Sequence, residues 1–430
     1  MSTFRTHYPY LNTYTHSSPW GTTLGLFQTA DLNLINLETS ATTTNEPWPD
    51  KAFNYRMHPV NLGVLRAGRV DFAALANNHT LDFGTEGLVE TVWGVRGVGV
   101  RFAGVGEGTD ESRRAAVLEL PRVSASSSLR AGGRGEREEE GRRKWSEREK
   151  HGCHGHERVS DAVQGADGIG ISIRDLQQVQ RHHHKIHVYS ASDHPRDWAV
   201  VPTFHLIDYS SSTRRHLKTL LTSPSPFTSS ESHTSNITSR GAASTSTSTA
   251  SSPTSGTPKE IKSEHPALKI FSIHWGPNYA WQPAPQIRSL AHFLIDECGV
   301  DIVHGHSAHH VQGVERYNGK LIMYGCGDFV DDYALNVRFR NDLGAVWRVV
   351  VREVERSSSR SDGSGGELGL ELDRLEIFPT RCDRFQVTLL DTDDEDHGWV
   401  RTKITALSEE MGTKVNRILG EAGQVVVDLQ

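Results

Sequence analysis

Val300-Asp301-Ile302-Val303-His304-Gly305-His306-Ser307-Ala308-His309-His310 is the stretch on which the reading of this chain turns. A short, β-branched apolar run is the mark of a buried strand. Here it passes directly into four imidazoles within seven residues, on a Gly-containing turn. Neutral imidazole is the commonest side-chain ligand for transition metals, so such a density is hard to justify by packing alone.

Three further runs follow the same grammar. Ala30-Asp31-Leu32-Asn33-Leu34-Ile35-Asn36-Leu37 leads into Glu38, and Val70-Asp71-Phe72-Ala73-Ala74-Leu75-Ala76 into Asn77-Asn78-His79. Leu268-Lys269-Ile270-Phe271-Ser272-Ile273 leads into His274-Trp275-Gly276. In layered α/β folds ligands gather outside the carboxyl ends of such strands. A carboxylate, an amide oxygen and several imidazoles meeting there would make a dimetal hydrolase site.

Each piece alone also has a plain structural reading. Asn78 before a helix is a favoured cap residue, a single Glu38 is more often a surface carboxylate, and satisfied core histidines such as His274 are common. Their convergence is what carries the inference. His79 beside Asn78 is placed to act as acid or base, with Asp82 fixing its tautomer. His182 to His184 show that the chain also carries histidine by bias, and Cys153-His154-Gly155-His156 lacks the paired spacing of a zinc finger.

The rest of the 430 residues bounds the answer. A net charge of −7 gives no electrostatic ground for nucleic acid. Four cysteines, Cys153, Cys298, Cys326 and Cys382, have no framework spacing. Neither a secretory signal at Met1 to Trp20 nor an apolar run of about 20 residues is visible, so a cytoplasmic protein without a membrane span is expected.

Strand alternates with helix over about 24–122, with helices expected at Pro59–Ala67 and from Thr85 to Arg96, which is the pattern of βαβ units. Lys185–Ser190 and Thr203–Asp208 read as further strands. An amphipathic helix is expected from Ala284 to Glu297, with Ile287, Leu290, Ala291, Leu294 and Ile295 on one face and Gly299 as its stop. Val346–Val354 and Leu370–Ile377 read as a β pair around a loop at about 356–367. The tracts at about 124–165 and 222–263 are rich in Ser, Thr, Gly, Arg and Glu and offer little to bury, so disorder is expected there. One domain over 24–425, interrupted by these two insertions and preceded by a poorly defined 1–23, is the resulting organisation.

Taken in order, the motifs resemble those of the CapA family, the capsule or poly-γ-glutamate synthesis proteins. The resemblance rests on Asn36-Leu37-Glu38, Lys51 with Tyr55-Arg56-Met57-His58-Pro59, Leu75 to Asp82 and Ala103-Gly104-Val105-Gly106. It continues through His274-Trp275-Gly276-Pro277-Asn278, His304 to His310, and Tyr324-Gly325-Cys326-Gly327-Asp328-Phe329. That family is similar to calcineurin-like phosphoesterases, which implies a metallophosphatase-like, four-layer αββα sandwich with divalent metals of the Mn, Fe or Zn class at the strand ends. By position the resemblance makes Glu38, Asn78, His274, His306 and His309 metal ligands, with His79 and Asp82 catalytic. It gives no role to His304, His310 or Asp328. The family's opening Gly-Asp pair has no counterpart in residues 1–30, which implies either that the true N-terminus is missing or that one metal position is lost, with metal then bound weakly or at a single position.

Two functions follow as expectations. One is a metal-dependent hydrolase of phosphoester or amide (γ-glutamyl) bonds, with Lys51 and Arg56 holding a small or polymeric anionic substrate. The other is a non-catalytic polyanion-binding or polymer-assembly protein that keeps the fold. Because neither tract can offset the entropy of ordering, a chain with 124–165 and 222–263 replaced by short Gly/Ser linkers should melt as cooperatively as the full chain. An insoluble or non-cooperative product would show that one tract packs on the core.

Overall fold

The computed structural model describes residues 14–121, 183–223, 265–331, 335–356 and 367–430. Apart from Thr222 and Ser223, the two tracts expected to be disordered lie outside the described residues, as does the loop at 356–367 except for its two ends. In chain order the elements begin with α1 (Leu24–Thr29), β1 (Leu34–Asn36), β2 (Ser40–Ala41), β3 (Arg56–Met57), α2 (Gly63–Ala67) and β4 (Phe72–Ala74). Then come α3 (Gly84–Gly97), β5 (Arg101–Ala103), α4 (Thr109–Arg113), β6 (Ala116–Pro121), β7 (His183–Ser192) and α5 (Ser211–Thr222). They continue with β8 (Leu268–His274), α6 (Pro285–Asp296), β9 (Ile302–His306), β10 (Val314–Tyr317) and β11 (Lys320–Met323). The last are β12 (Leu343–Arg356), β13 (Glu367–Asp383), β14 (Gln386–Leu389), α7 (Glu395–Glu410) and β15 (Val425–Asp428).

This is a mixed α/β chain with several sheets. β1, β4 and β5 form a parallel three-stranded sheet. A six-stranded sheet runs β10-β11-β9-β8-β7-β6, parallel from β11 through β7 and antiparallel at β10. β13 pairs antiparallel with β14 and β15 and neighbours β12 in a third sheet, which includes the expected β pair.

The described residues divide into two compact units, one of Met1–Leu118, Lys185–Val350 and Leu372–Gln430 and one of Glu119–His184 and Val351–Glu371. All residues of the candidate site belong to the first. Within the second, His184 Nε2 lies 2.8 Å from Glu353 Oε1, and Arg352 pairs with Glu371 at 3.0 Å.

Among the described residues, two hydrophobic cores lie within the first unit. One packs Leu62, Leu65, Leu88, Val92 and Val95 against Ala73 and Leu75 of the three-stranded sheet region. The other sets α6 on Phe271, Ile273 and Val303. α6 starts on Pro285, whose fixed φ suits the first helical position, and the chain leaves it through Gly299 at φ +67°. Its buried residues, Ile287, Leu290, Ala291, Leu294 and Ile295, are the face that the 3.6-residue period selects.

Thr203–Asp208 is not a strand. Its backbone hydrogen bonds go to three separate places: His205 N donates to Gly104 O, Ile207 N to Ser192 O and Leu206 N to Phe204 O. No ladder forms when successive amides find partners on different elements. The segment buries His205, whose Nδ1 lies 2.8 Å from Ser190 O.

Burial pushes the His205 imidazole down to about 4, against the weaker opposing pull of its bond to Ser190 O. A folded value below the unfolded 6.5 means that the unfolded chain binds more protons between the two. The stabilisation from neutral His205 is therefore complete above the unfolded value and is lost as pH falls toward 4. Urea unfolding at about pH 7.5 and about pH 5 should differ by about 2 kcal/mol more in the native chain than in His205→Gln. Equal pH dependence in the two proteins would contradict this.

Candidate functional site

Strand register builds the site. Ser192 of β7 pairs with His274 of β8, and His274 with His306 of β9, all at carboxyl ends. One rank back, Ser190, Ser272 and His304 align in the same way. Because side chains alternate, ranks two residues apart share a sheet face. Ser272 Oγ accordingly reaches His306 Nε2 at 3.1 Å and His304 Nδ1 at 3.0 Å. His304 and His306 thus lie inside β9 rather than on the turn after it.

The three-stranded sheet presents Glu38 two residues beyond β1, and Asn77, Asn78 and His79 beyond β4. Asn77 ties these ends together, its side-chain amide donating to Leu37 O at 2.8 Å and Asn36 Oδ1 at 3.0 Å. Asn36 in turn donates to Glu38 Oε2 at 2.9 Å.

The two groups of strand ends meet. Glu38 Oε2 lies 3.9 Å from His274 Nδ1, and Glu38 Oε1 lies 3.9 Å from His309 Nε2. His274 and His306 face each other at 2.8 Å between their Nδ1 atoms. His309, at φ +61°, turns its Nδ1 to Asp328 Oδ1 at 2.9 Å. Glu38 Oε1, Asn78 Oδ1, His274 Nε2 and Asp328 Oδ2 are buried without a hydrogen-bond partner. Such atoms are rare in folded proteins, since each forfeits its hydration.

Burial drives His274 and His306 well below the usual imidazole range, each helped by neighbouring histidines. Burial also raises the Glu38 and Asp328 carboxyls, the latter strongly. The imidazoles are therefore neutral, with nitrogen lone pairs to offer. Nitrogen donors beside carboxylate and amide oxygens suit a divalent cation of the Mn, Fe or Zn class. The orphaned oxygen and nitrogen atoms are what such an ion would satisfy. Among the described residues, however, no three His, Cys, Asp or Glu side chains are already closed around one point as an ion would hold them. The 3.9 Å separations and the His274–His306 contact describe a donor set drawn together but not coordinating.

Beside this set lies a second network. Asp82 is fully buried and accepts from Tyr55 N at 2.5 Å, and its Oδ2 sits 2.7 Å from His79 Nδ1. The Asp82 carboxylate favours the proton on His79 Nδ1 and the lone pair on Nε2, and Lys51 Nζ lies 3.2 Å from the same Nδ1. Lys51, expected to hold a substrate anion, instead donates to Asp82 Oδ1 and Asn78 O and lies over the Trp198 ring. Arg56 likewise bonds Thr44 O and Asn45 Oδ1 and covers Phe83. Lys51 is half-buried on these partners, whereas Arg56 stays exposed.

Two residues not anticipated from the sequence, Asp193 and His194, follow directly on β7. The His194 ring centre is 4.9 Å from that of His274. The usable signal was their place immediately after a strand end, the same place that singled out His274. His310 is set apart, its ring packed on Trp281 and Phe339, with burial bringing its imidazole down to about 4.

A family model described as Bacterial capsule synthesis protein PGA_cap matches residues 2–333. A probable polyglutamine synthesis accessory protein of Mycobacterium tuberculosis is 28% identical over 404 residues, covering 92% of this chain and 78% of that protein. The PGA biosynthesis protein CapA of Bacillus subtilis is 38% identical over 69 residues, 16% of this chain and 18% of its own length. The capsule biosynthesis protein CapA of Bacillus anthracis is 35% identical over 74 residues, 17% of this chain and 18% of its own.

Gly305, between His304 and His306, has no room for a side chain. A Cβ there would come within 3.0 Å of Tyr324 O, Met323 O and Trp275 Nε1, where the indole donates to Tyr324 O at 3.0 Å. Gly305→Ala should lower the urea unfolding free energy by about 1–3 kcal/mol. A change within about 0.5 kcal/mol would show that β9 is not packed this tightly.

Proposed function

The chain belongs to the family of bacterial capsule synthesis proteins, and from that premise we propose that it is a metal-dependent hydrolase of phosphoester or γ-glutamyl amide bonds. The observation that carries this reading is the approach of Glu38, from one group of strand ends, to His274 and His309, with His306 against His274, while Glu38 Oε1, Asn78 Oδ1 and His274 Nε2 are buried without a partner. These five residues would hold a divalent cation of the Mn, Fe or Zn class. When bound, the cation supplies Lewis acidity toward the bond to be cleaved. On this reading the layered arrangement is the four-layer αββα sandwich of metallophosphatase-like proteins. The family link to capsule and poly-glutamate synthesis supports an anionic polymer, or a fragment of one, as substrate.

The remaining steps fall to the chain's own groups. With Asp82 at Nδ1, the lone pair on His79 Nε2 can take a proton from the attacking water and then give it to the leaving group. Lys51 donates to Asp82 Oδ1 and lies 3.2 Å from His79 Nδ1, bracing both members of the pair. Tyr55 covers one edge of the imidazole, with ring centres 4.3 Å apart, and limits the water that reaches it. Among the described residues no helix is long and apolar enough to cross a membrane.

A second reading is a polyanion-binding or polymer-assembly protein that keeps the fold without turnover. It draws on the donors among the described residues not being closed around one point. The two separate in one assay, in which the full chain, supplied with Mn²⁺, is screened against phosphoester and γ-glutamyl substrates. Hydrolysis should be detected, and His79→Gln should lower kcat/KM by about 10²–10⁴-fold with metal content unchanged. Binding of poly-γ-glutamate without cleavage of any substrate would favour the second reading, and full activity in His79→Gln would remove the proposed acid.

A further inference from the structure

β7 ends at Ser192, in register with His274 and His306. The next two residues, Asp193 and His194, are fastened to that register rather than leaving it. Asp193 N donates to His274 O at 3.0 Å. Ser192 Oγ lies 3.3 Å from the same oxygen and 2.6 Å from His194 O, and His194 N donates back to Ser192 Oγ at 3.3 Å. The backbone of His194 is thus held at the mouth of the strand ends.

Its ring is held as well. Asp193 Oδ1 accepts from His194 Nδ1. The other oxygen, Oδ2, accepts from Tyr209 OH at 2.6 Å and from Gly276 N at 3.0 Å. Asp193 is buried, and its three donors fix its orientation. With Nδ1 protonated, the lone pair of His194 is on Nε2. His194 lies beside the cluster, its ring centre 4.9 Å from that of His274. Its side chain keeps 29% of its surface exposed, so the ring is within reach of solutes. A histidine whose far nitrogen is clamped by a buried carboxylate is the arrangement proteins use to aim an imidazole at a metal.

We infer that His194 is a further nitrogen ligand in the cation site and that Asp193 is its positioning carboxylate. This rests on the metal-binding reading above and adds a donor that the family-matched ligand set does not contain. It also gives the cluster a ligand from β7, so that three adjacent parallel strands, β7, β8 and β9, each contribute an imidazole at or just past their carboxyl ends.

The test uses the full chain, stripped of metal and titrated with Co²⁺ while the visible absorption is followed. Asp193→Asn should weaken Co²⁺ binding by about tenfold, as loss of an orienting carboxylate does, and leave the band shape. His194→Ala should weaken it further and alter the band, while His292→Gln, whose ring pairs with Glu315 and stacks on Tyr317, should match the native chain. A second measurement needs no variant: bound Co²⁺ should slow the reaction of His194 with diethyl pyrocarbonate, mapped by mass spectrometry. Native affinity and band in His194→Ala, or unchanged His194 labelling while His309 is protected, would overturn the assignment and leave the metal site standing. A native chain that takes up no Co²⁺ would overturn both.

Discussion

Parallel pairing of β7, β8 and β9 in a single register is the constraint on which the site depends. Hydrogen bonding fixes Ser192 beside His274 and His274 beside His306, and strand pleating then decides which side chains share a face. A one-residue slip of β9 would carry His304 and His306 to the opposite face and put Gly305 in their rank. Gly305 enforces the register sterically, since only a residue without Cβ fits under the Trp275 indole and the Met323 and Tyr324 carbonyls. The three-stranded sheet does the matching work for Glu38, Asn78 and His79 through the Asn77 amide, which joins the ends of β1 and β4.

Electrostatics then divides the site in two. On one side, burial keeps His274 and His306 neutral and disfavours charge on Glu38, so positive charge brought from outside would meet lone pairs rather than protons. On the other side, charge is internal and already paired. Asp82 is fully buried yet faces Lys51, His79 and the Tyr55 amide, which is what a buried carboxylate requires. Burial lowers the Lys51 ammonium, and Asp82 opposes that shift. Lys51 therefore sits against Asp82 and 3.2 Å from His79 Nδ1 at once.

Much of the fold was legible because its signals are local. The apolar runs before His274 and His304 are β8 and β9, and the spacing of Ile287, Leu290, Ala291, Leu294 and Ile295 marks the buried face of α6. The ligand candidates were legible for the same reason, as polar residues immediately past such runs. What escaped was set by long-range contact. Lys51 meets Asp82 across 31 positions, from a loop with no periodicity of its own. His194 precedes a proline and reads as part of a turn until its carboxylate clamp to Tyr209 and Gly276 is seen. Thr203–Asp208 has the composition of a strand but shares its amides among Gly104, Ser192 and Phe204.

Anomalous diffraction at the manganese edge, from crystals grown with Mn²⁺, tests the central claim most directly. The account predicts an ordered peak bonded on one side by Glu38 or Asn78 and on the other by His274, His306 or His309, so that both groups of strand ends ligate one ion. A well-ordered peak ligated from one group alone, or at none of these residues, would contradict it.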